Sequence, residues 1–288
     1  MVSKQLKWVL LIVLALIWGS SFILIKKGLV GLNPFQLGSL RIIFCAIFLL
    51  LIGFKSLTKI PQHQWKHIAL TALFGTFLPV YLFSVAQTQI SSSVSSILNS
   101  LTPLNTLLIS ICVFGLRFKR VQFIGVIIGL LGTAILILNG NHHNVNQNNY
   151  YAFLVIAASI CYAINVNLIK KYLSDLTPLS ITTGNFSVML IPALSVLFFT
   201  NFSNIVNLKE TQHAMVFILI LAVVGTGIAN ILFFKLIQLS SPVFASSVTY
   251  LIPVVAFFWG MLDHEMLTSV QFLGAFIILV GVYLSNKK

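Results

Sequence analysis

The stretch GTFLPVYLFSVAQTQISSSVSSILNSLTP, from Gly75 to Pro103, occurs a second time in this chain. GTGIANILFFKLIQLSSPVFASSVTYLIP, from Gly225 to Pro253, aligns with it without a gap at an offset of 150 residues. Both copies begin with Gly-Thr and end with Leu-x-Pro, so the register is fixed at each end. We interpret the stretch as part of an internal duplication, which is the feature that decides the architecture.

The duplication continues on both sides of this stretch. At an offset of 144, WGSSFILIKKGLVGLNP (Trp18–Pro34) matches YAINVNLIKKYLSDLTP (Tyr162–Pro178), and Leu-Ile-Lys-Lys is common to both. At an offset of 149, QFIGVIIGLLG (Gln122–Gly132) matches QFLGAFIILVG (Gln271–Gly281). The repeat therefore extends over nearly the whole chain.

The composition is that of a membrane protein. Of the 288 residues, 58% are hydrophobic and only 7% are charged, and the mean hydropathy is +1.03. Soluble domains carry about 25% charged residues. So few charges cannot cover a water-facing surface, so we expect the lipid bilayer to surround this chain. Backbone groups in lipid must hydrogen bond within their own segment, so the apolar runs are predicted to be helices.

Ten apolar runs approach the length of about 20 residues that one helical crossing needs. A polar linker, residues 140–149, separates a first five-helix repeat, residues 1–139, from a second, residues 150–288. Because five is an odd number of crossings, the second repeat is inverted in the membrane, as in many secondary transporters. The predicted fold class is an all-α membrane protein with ten transmembrane helices in two inverted five-helix repeats. The predicted spans are Trp8–Ile25, Phe35–Phe54, His67–Val85, Val94–Leu116, Val121–Leu138, Tyr150–Ile169, Pro178–Thr200, Met215–Phe234, Phe244–Leu262 and Ser269–Ser285.

The charges indicate topology. The net charge is +13, from 17 Lys and Arg against 4 Asp and Glu, and the basic residues lie singly or in pairs between apolar runs. The positive-inside rule orients both termini toward the cytoplasm of a multi-pass cell-membrane protein. Nucleic acid is therefore not an expected partner. Lys26 and Lys27 are the exception on the outer side, where snorkelling and capture of an anionic substrate both remain open.

Short motifs follow one another in a characteristic order. Trp-Gly-Ser-Ser-Phe begins at Trp18, Arg41 lies in the second span, Leu-x-Pro ends at Pro103 and Gln-x-x-Gly begins at Gln122. With the ten-helix duplication, this order resembles the EamA-type permeases of the drug/metabolite transporter superfamily. The sixth span departs from the family pattern, because Tyr162 stands where the family often has Trp. The resemblance implies small-molecule transport, often the export of amino acids, metabolites or drugs.

A transporter of this architecture is expected to bind its small-molecule substrate near the membrane midplane. Arg41 is the clearest candidate, because a charge about 10 Å along a transmembrane helix is costly. Its role stays open between a structural tie to a neighbouring helix and contact with the substrate. The other candidates are polar or aromatic residues deep in the spans: Trp18, Ser21, Tyr81, Asn99, Thr102, Asn165, Asn230 and Tyr250.

Two further patterns concern helix shape and packing. Asn99, Thr102 and Thr106 share one helix face, which either lines the cavity or ties helices together. The prolines beside it and in the second copy, Pro103 and Pro253, lack an N–H donor and predict paired helix bends. A small-residue face formed by Gly125, Gly129 and Gly132, echoed by Gly274 and Gly281, predicts close helix packing, within the chain or in a homodimer.

The predicted function is a secondary transporter, working as an exporter, of a small metabolite such as an amino acid, by alternating access around a midplane cavity. No Asp or Glu falls within a span, so proton antiport through a carboxylate is not expected. The lack of a catalytic constellation argues against an intramembrane enzyme, and neither a metal nor a cofactor is expected. A structural or regulatory membrane protein that does not transport remains the alternative.

Overall fold

The computed structural model describes residues 2–90, 92–115, 119–138, 149–262 and 269–285. This part of the chain is helical throughout and contains no β-strand. Its α-helices are α1 (Val2–Gly28), α2 (Pro34–Leu57), α3 (Trp65–Ala72), α4 (Leu78–Ala86), α5 (Ser92–Asn99), α6 (Thr102–Cys112), α7 (Arg120–Leu138), α8 (Ala152–Tyr172), α9 (Pro178–Phe198), α10 (Lys209–Ile220), α11 (Ala229–Leu239), α12 (Pro242–Ser246), α13 (Val248–Leu262) and α14 (Ser269–Ser285). Most of the predicted linker, residues 140–148, lies outside the described residues.

Several helical segments have the length and apolar character of membrane spans. Within the described residues there are 6 of full length: Gln5–Gly28, Pro34–Leu57, Gln62–Ala86, Ala152–Tyr172, Pro178–Phe198 and Lys209–Leu239. Shorter apolar helices cover Thr102–Cys112, Arg120–Gly132 and Pro242–Val255. Large apolar side chains face outward from the bundle, among them Leu51, which is 80% exposed, and Phe198, which is 81% exposed. Such a surface suits lipid rather than water.

Two long helices begin at repeat-equivalent caps. Before α2, the Asn33 side chain accepts from the Gln36 N–H and the Gln36 side chain accepts from the Asn33 N–H, both at 2.9 Å. Before α9, the Thr177 hydroxyl accepts from the Ser180 N–H at 3.1 Å. A proline follows each cap and occupies the first turn, where its missing N–H costs nothing. The local sequence therefore fixes where both helices start.

Two spans predicted as single helices are each divided in two. The run Val94–Leu116 contains α5 and α6, which are separated by a turn at Ser100 and Leu101. The run Phe244–Leu262 contains the end of α12 and all of α13, separated at Ser247. Hydrophobicity alone did not reveal these breaks, because the chain stays apolar on both sides of them.

The two prolines that were predicted to bend their helices occupy different positions in them. Pro103 lies in the first turn of α6, just after the break, whereas Pro253 lies inside the continuous helix α13. A proline has no N–H for the carbonyl four residues earlier. In both copies a hydroxyl donates to that carbonyl instead: Thr102 to Asn99 O at 2.6 Å, and Ser100 to Thr249 O at 3.3 Å.

Two other spans contain a wide π-helical turn at matching places. Leu73–Phe77 lies between α3 and α4, and Leu221–Ile228 lies between α10 and α11. At the offset of 150 the first segment falls within the second. Such turns are rare and are frequently found at functional sites. Both contain the duplicated Gly-Thr pair with which the repeated stretch begins.

The glycine face joins α7 to α14 inside the chain. A Cβ atom on Gly281 would lie 2.8 Å from the Gly125 carbonyl oxygen, and one on Gly132 would lie 2.7 Å from the Ile278 nitrogen. The two backbones therefore approach too closely for any side chain at these positions. Elsewhere α2 packs along α9, α1 packs against α11 and α13, and α8 packs against α4 and α6.

Candidate functional site

A cavity lies between helices from both halves of the chain. It has a volume of about 920 Å³ when its mouth is included, and about 110 Å³ when only space open to the centre of a water molecule is counted. The smaller volume is the one that compares with enclosed ligand cavities, and it admits only a small solute. Its lining residues are Trp18, Ser21, Phe22, Ile25, Arg41, Gly75, Thr76, Val80, Phe83, Asn99, Thr102, Tyr162, Asn165, Val166, Gly225, Thr226, Asn230, Phe233, Ser246, Thr249 and Ile252.

Most lining residues are repeat-equivalent partners. At the offsets of 144 and 150, they form the pairs Trp18/Tyr162, Ser21/Asn165, Phe22/Val166, Gly75/Gly225, Thr76/Thr226, Val80/Asn230, Phe83/Phe233, Asn99/Thr249 and Thr102/Ile252. Ile25, Arg41 and Ser246 are the lining residues without a lining counterpart. The two halves thus contribute matching positions, and the differences between paired side chains make the cavity chemically asymmetric.

Arg41 is the only Lys or Arg among the lining residues. Its Nε donates to the Thr226 hydroxyl at 2.7 Å, and that hydroxyl donates in turn to the Leu221 carbonyl at 3.0 Å. This is the only hydrogen bond that Arg41 makes to the described residues. Its two Nη groups, which carry four of the five guanidinium donors, therefore have no protein acceptor there. Of the acids, the described Asp175 and Glu210 lie away from the cavity, and the other two lie outside the described residues.

Aromatic rings form facing parts of the wall. The Trp18 indole donates to the Gly225 carbonyl at 3.0 Å, and its ring meets Phe233 edge-on with centroids 5.0 Å apart. Its equivalent, Tyr162, stacks on Phe83 with centroids 6.1 Å apart. The Trp18 N–H is satisfied by the π-helical turn, whereas no described residue hydrogen bonds to the Tyr162 hydroxyl. Trp18 is thus a fixed apolar wall, and Tyr162 offers a free polar group.

The polar lining side chains fall into two groups. Ser21 donates to its own helix at Ile17 O, at 2.9 Å, and the Asn99 amide oxygen accepts from Thr102 at 3.3 Å. By contrast, the Asn165 amide packs directly on Gly75 and its oxygen is buried without a partner among the described residues. The Asn230 side chain also makes no hydrogen bond to the described residues. The Asn165 oxygen and the Asn230 amide are therefore among the polar groups of the lining that no described residue satisfies.

Two predicted substrate-binding residues lie away from the cavity lining. The Tyr81 and Ser39 hydroxyls share a 2.8 Å hydrogen bond, and the Tyr81 ring packs edge-on against Phe77. The Tyr250 hydroxyl donates to Val126 O at 2.8 Å, which ties α13 to α7. The structure brings the other seven together at the cavity. The two tyrosines point to neighbouring helices because depth in a span does not specify which face a residue occupies.

The polar face of α6 turns partly toward α8 rather than the cavity. Asn105 donates to the Ser159 hydroxyl at 2.8 Å, and Ser110 donates to the Asn167 amide oxygen at 2.5 Å. Asn167 also donates to the Thr106 carbonyl at 3.2 Å. For these residues the structure supports the helix-tying interpretation, whereas Thr102 one turn earlier lines the cavity.

Sequence reasoning did not propose several lining residues. Gly75, Thr76 and Thr226 belong to the most regular part of the repeat, and their identity in both copies was the available signal. Phe22, Phe83 and Phe233 gave no signal, because phenylalanine is common throughout an apolar chain. Within the described residues, no group of three or more His, Cys, Asp or Glu side chains could hold a metal ion.

A model of the EamA-like transporter family matches residues 6–138 and, a second time, residues 149–287. The two matches cover almost the whole chain, so this protein belongs to the EamA-like transporter family. The resemblance seen in its motifs is confirmed.

Relatives across bacteria and archaea have similar lengths. The chain is 28% identical over 282 residues to the "Uncharacterized inner membrane transporter YedA" of Escherichia coli, which covers 95% of this chain and 88% of that protein. It is 28% identical over 293 residues to the "Probable amino-acid metabolite efflux pump" of Escherichia coli, covering 96% and 93%. An "Uncharacterized transporter" of Archaeoglobus fulgidus is 26% identical over 287 residues, covering 98% and 99%.

One solved structure, titled "Crystal structure of protein", has the same fold. It superimposes with a TM-score of 0.75 at 15% sequence identity and covers 96% of this chain and 95% of that one. At this level of identity the likeness concerns the fold alone.

Proposed function

We propose that this protein is a secondary transporter that exports a small metabolite of the amino-acid class across the cell membrane by alternating access. The observation that carries the proposal is the cavity lined by repeat-equivalent pairs from both halves of the chain. In alternating access, two similar halves rock around a fixed site between them. A cavity lined by matching positions is what such a mechanism requires.

The architecture belonging to this proposal is two inverted five-helix repeats, residues 1–139 and 150–288, joined by the linker at residues 140–149. The packing of the helices supports it, because the main contacts between helices have counterparts in the other half. α1 packs on α13 as α8 packs on α6, and α1 meets α11 as α8 meets α4. α2 and α9 pack on each other, as do α7 and α14. In this arrangement α5 with α6, and α12 with α13, each make one crossing.

The amino-acid class is supported by the mixed chemistry of the lining and by one relative. A guanidinium, two unpartnered amides and a phenol line the cavity together with serine, threonine and apolar side chains, which suits a small solute with polar and apolar parts. The relative from Escherichia coli named for amino-acid metabolite efflux makes export the direction to test first. The absence of an acid among the lining residues favours facilitated diffusion or exchange over proton antiport through a carboxylate.

The test combines cells with purified protein. Cells that overproduce the protein are compared with cells lacking it for survival on toxic levels of each amino acid, and the protective cases are then tested for flux in proteoliposomes. We expect protection and saturable flux for at least one amino acid. Leu51→Ala, a change on the lipid face, serves as the control that keeps flux. Folded protein that moves none of them would favour the non-transporting alternative.

A further inference from the structure

The cavity contains an uncompensated positive charge. Arg41 is held through Nε by Thr226, and its Nη groups have no acceptor among the described residues. A buried cation without a partner is costly, and the cost is greatest where lipid surrounds the protein. No described acid lies in the lining to offset it. A mobile anion entering the cavity would remove this cost.

We infer that the Arg41 Nη groups bind the carboxylate of the substrate, a small α-amino acid with an apolar side chain. This inference rests on the proposed function and specifies its site. A guanidinium presents two parallel N–H donors, which match the two oxygens of a carboxylate. Because the Arg41 Nε donor is already bonded to Thr226, the two Nη groups are the guanidinium donors that remain for the ligand.

The rest of the lining fits the other parts of such a molecule. The Asn165 oxygen is buried without a partner, and the Asn230 amide is also unbonded, so both supply neutral acceptors for an ammonium group. The rings of Trp18, Phe83 and Phe233 provide an apolar surface for the side chain. Because none of the described lining residues is acidic, a substrate that carries only a positive charge is disfavoured.

The experiment uses the full chain in detergent and measures its thermal midpoint with each standard amino acid and with the matching amino-acid amide, which lacks the carboxylate. We expect at least one amino acid with an apolar side chain to raise the midpoint, and its amide to fail. Arg41→Met should weaken the apparent affinity by roughly thirtyfold or more, the cost of truncating one partner of a buried charge pair. Arg41→Lys, which keeps the charge without the fork, should fall between.

Several results would overturn the inference. The inference is wrong if an amino-acid amide raises the thermal midpoint as much as its acid, or if Arg41→Met keeps the full shift of the midpoint. It is also wrong if no amino acid raises the midpoint, or if chloride alone raises it equally. Transport measurements distinguish a failure of the Arg41 site from a failure of the proposed function. If Arg41→Met transports amino acids like the parent protein, the Arg41 site is wrong and transport stands. If the parent protein itself moves none of them, the proposed function fails.

The two ends of the cavity differ in a second, independent way. At one end Lys170, in the last turn of α8, donates from Nζ to the carbonyls of Ile237, Gln238 and Ser240 at 3.1, 3.1 and 2.7 Å. These carbonyls belong to the C-terminal end of α11, where unpaired C=O groups attract a cation. Lys170 thereby ties α8 to α11 and closes this end of the bundle.

The equivalent lysine at the other end makes no such tie. Lys26 matches Lys170 at the offset of 144, but it is exposed and hydrogen bonds to none of the described residues. Next to it, Ile25 lines the cavity, whereas its equivalent Ile169 is fully buried in the core. At the end of α4, both polar atoms of the Gln87 side chain are buried without a partner. The Lys170 end is thus held by hydrogen bonds that the Lys26 end lacks.

We propose that Lys170 and Lys26 are alternating locks of the transport cycle. In the state seen here Lys170 caps α11. When the halves rock so that the cavity opens at the Lys170 end, Lys26 caps the C-terminal end of α4, at the carbonyls equivalent to those that Lys170 uses. These belong to Gln87, Thr88 and Ile90. Each lysine stabilises the state in which its own end is closed.

Cysteine labelling tests the locks in a background without the native cysteines. Ile25→Cys reports the Lys26 end, and Ile169→Cys reports the Lys170 end. We expect faster labelling at position 25 in the parent. Lys170→Met should speed labelling at 169 and slow it at 25, by roughly tenfold for a population shift of 1.4 kcal/mol. Lys26→Met should act in the opposite sense.

Neighbouring lysines provide the controls. Lys27→Met removes a cation from the same helix end as Lys26 and should leave both labelling rates unchanged. Lys170→Arg keeps a charge at the α11 terminus and should preserve the parent pattern, provided that the variant elutes as a single folded species. If Lys26→Met and Lys27→Met have equal effects, or if labelling at 25 and 169 responds identically to Lys170→Met, the proposal is wrong.

Discussion

At the scale of single residues, the same threonine occurs twice in the lining with different roles. Thr226 accepts from Arg41, and its equivalent Thr76 is almost fully buried with a hydroxyl that has no partner among the described residues. The two threonines therefore have different partners, because the residue equivalent to Arg41 in the second half is Asn185. Asn185 lies instead against Thr71, at 2.9 Å from its hydroxyl.

Thr226→Val should weaken substrate binding without removing the charge. The substitution deletes the acceptor of Arg41 Nε, so the guanidinium loses its fixed orientation. We expect the apparent affinity for amino acids to fall by roughly three- to tenfold, in line with the net contribution of a typical intramolecular hydrogen bond. The thermal midpoint shift measures it. Thr76→Val is the matched change in the other copy, and an equally large loss of affinity there would contradict the assigned role.

Tyr250→Phe should lower stability and leave substrate affinity unchanged. The hydroxyl donates to Val126 O in a buried contact between α13 and α7, and its loss costs about 1 kcal/mol. Thermal unfolding measures the change. Tyr283→Phe, at a position that is 59% exposed, is the control and should have almost no effect. A Tyr250→Phe protein with normal stability and weakened binding would return Tyr250 to the substrate site.

At the scale of helices, two devices shape the bundle. The π-helical turns at Leu73–Phe77 and Leu221–Ile228 bring backbone into the cavity, where the Gly225 carbonyl accepts from Trp18. The glycines of α7 and α14 instead allow two backbones to touch. The π-helical turns place polar groups at the cavity. The glycine contact holds α7 against α14, and neither of these helices contributes a described lining residue.

Gly281→Ala should destabilise the bundle. The added methyl would overlap the backbone of Gly129 and lie 2.8 Å from the Gly125 carbonyl oxygen, so α14 must move away from α7. The expected loss is about 1–3 kcal/mol, typical of overpacking. Thermal unfolding in detergent measures it. Leu279→Ala, on the outward face of α14 where the side chain is 52% exposed, is the control, and equal losses in both would contradict tight packing at Gly281.

At the scale of the whole molecule, the matching lining and the matching helix contacts describe two halves built alike. The halves have diverged in the cavity lining: Arg41 and Asn230 have remote or apolar counterparts, whereas Gly75/Gly225 and Phe83/Phe233 are identical pairs. Symmetric positions suit the proposed motion in which the halves exchange roles, and under the proposed function the unlike side chains would provide selectivity.

The topology of the chain can be measured directly. With five crossings in each half, the linker at residues 140–149 should lie outside the cell and both termini inside. In a cysteine-free background, Val145→Cys should react with a membrane-impermeant maleimide in intact cells, whereas Lys288→Cys should react only after lysis. Permeabilised cells, in which both must react, provide the control. Labelling of both positions in intact cells would exclude an odd number of crossings between them.

Much of this protein could be predicted from its sequence. Low charge and long apolar runs predicted a helical membrane protein, and the motif order predicted the family. Seven of the nine proposed binding residues lie at one cavity, because deep polar residues are costly unless they face other protein groups or a ligand. Tyr81 and Tyr250 lie outside this lining, and the sequence did not indicate it, because in an all-round apolar helix no periodicity distinguishes the cavity face from the packing face.

The sequence by itself determined the helical class, the repeat and the helix starts, because these depend on composition, identity between copies and local capping. Only the tertiary structure decided which polar groups are satisfied. It joined Arg41 to Thr226, 185 residues away, left Asn165 and Asn230 unpaired, and gave Lys170 a partner that Lys26 lacks. Such pairings depend on how the two halves pack against each other, and similar local sequences at Lys26 and Lys170 meet different surroundings.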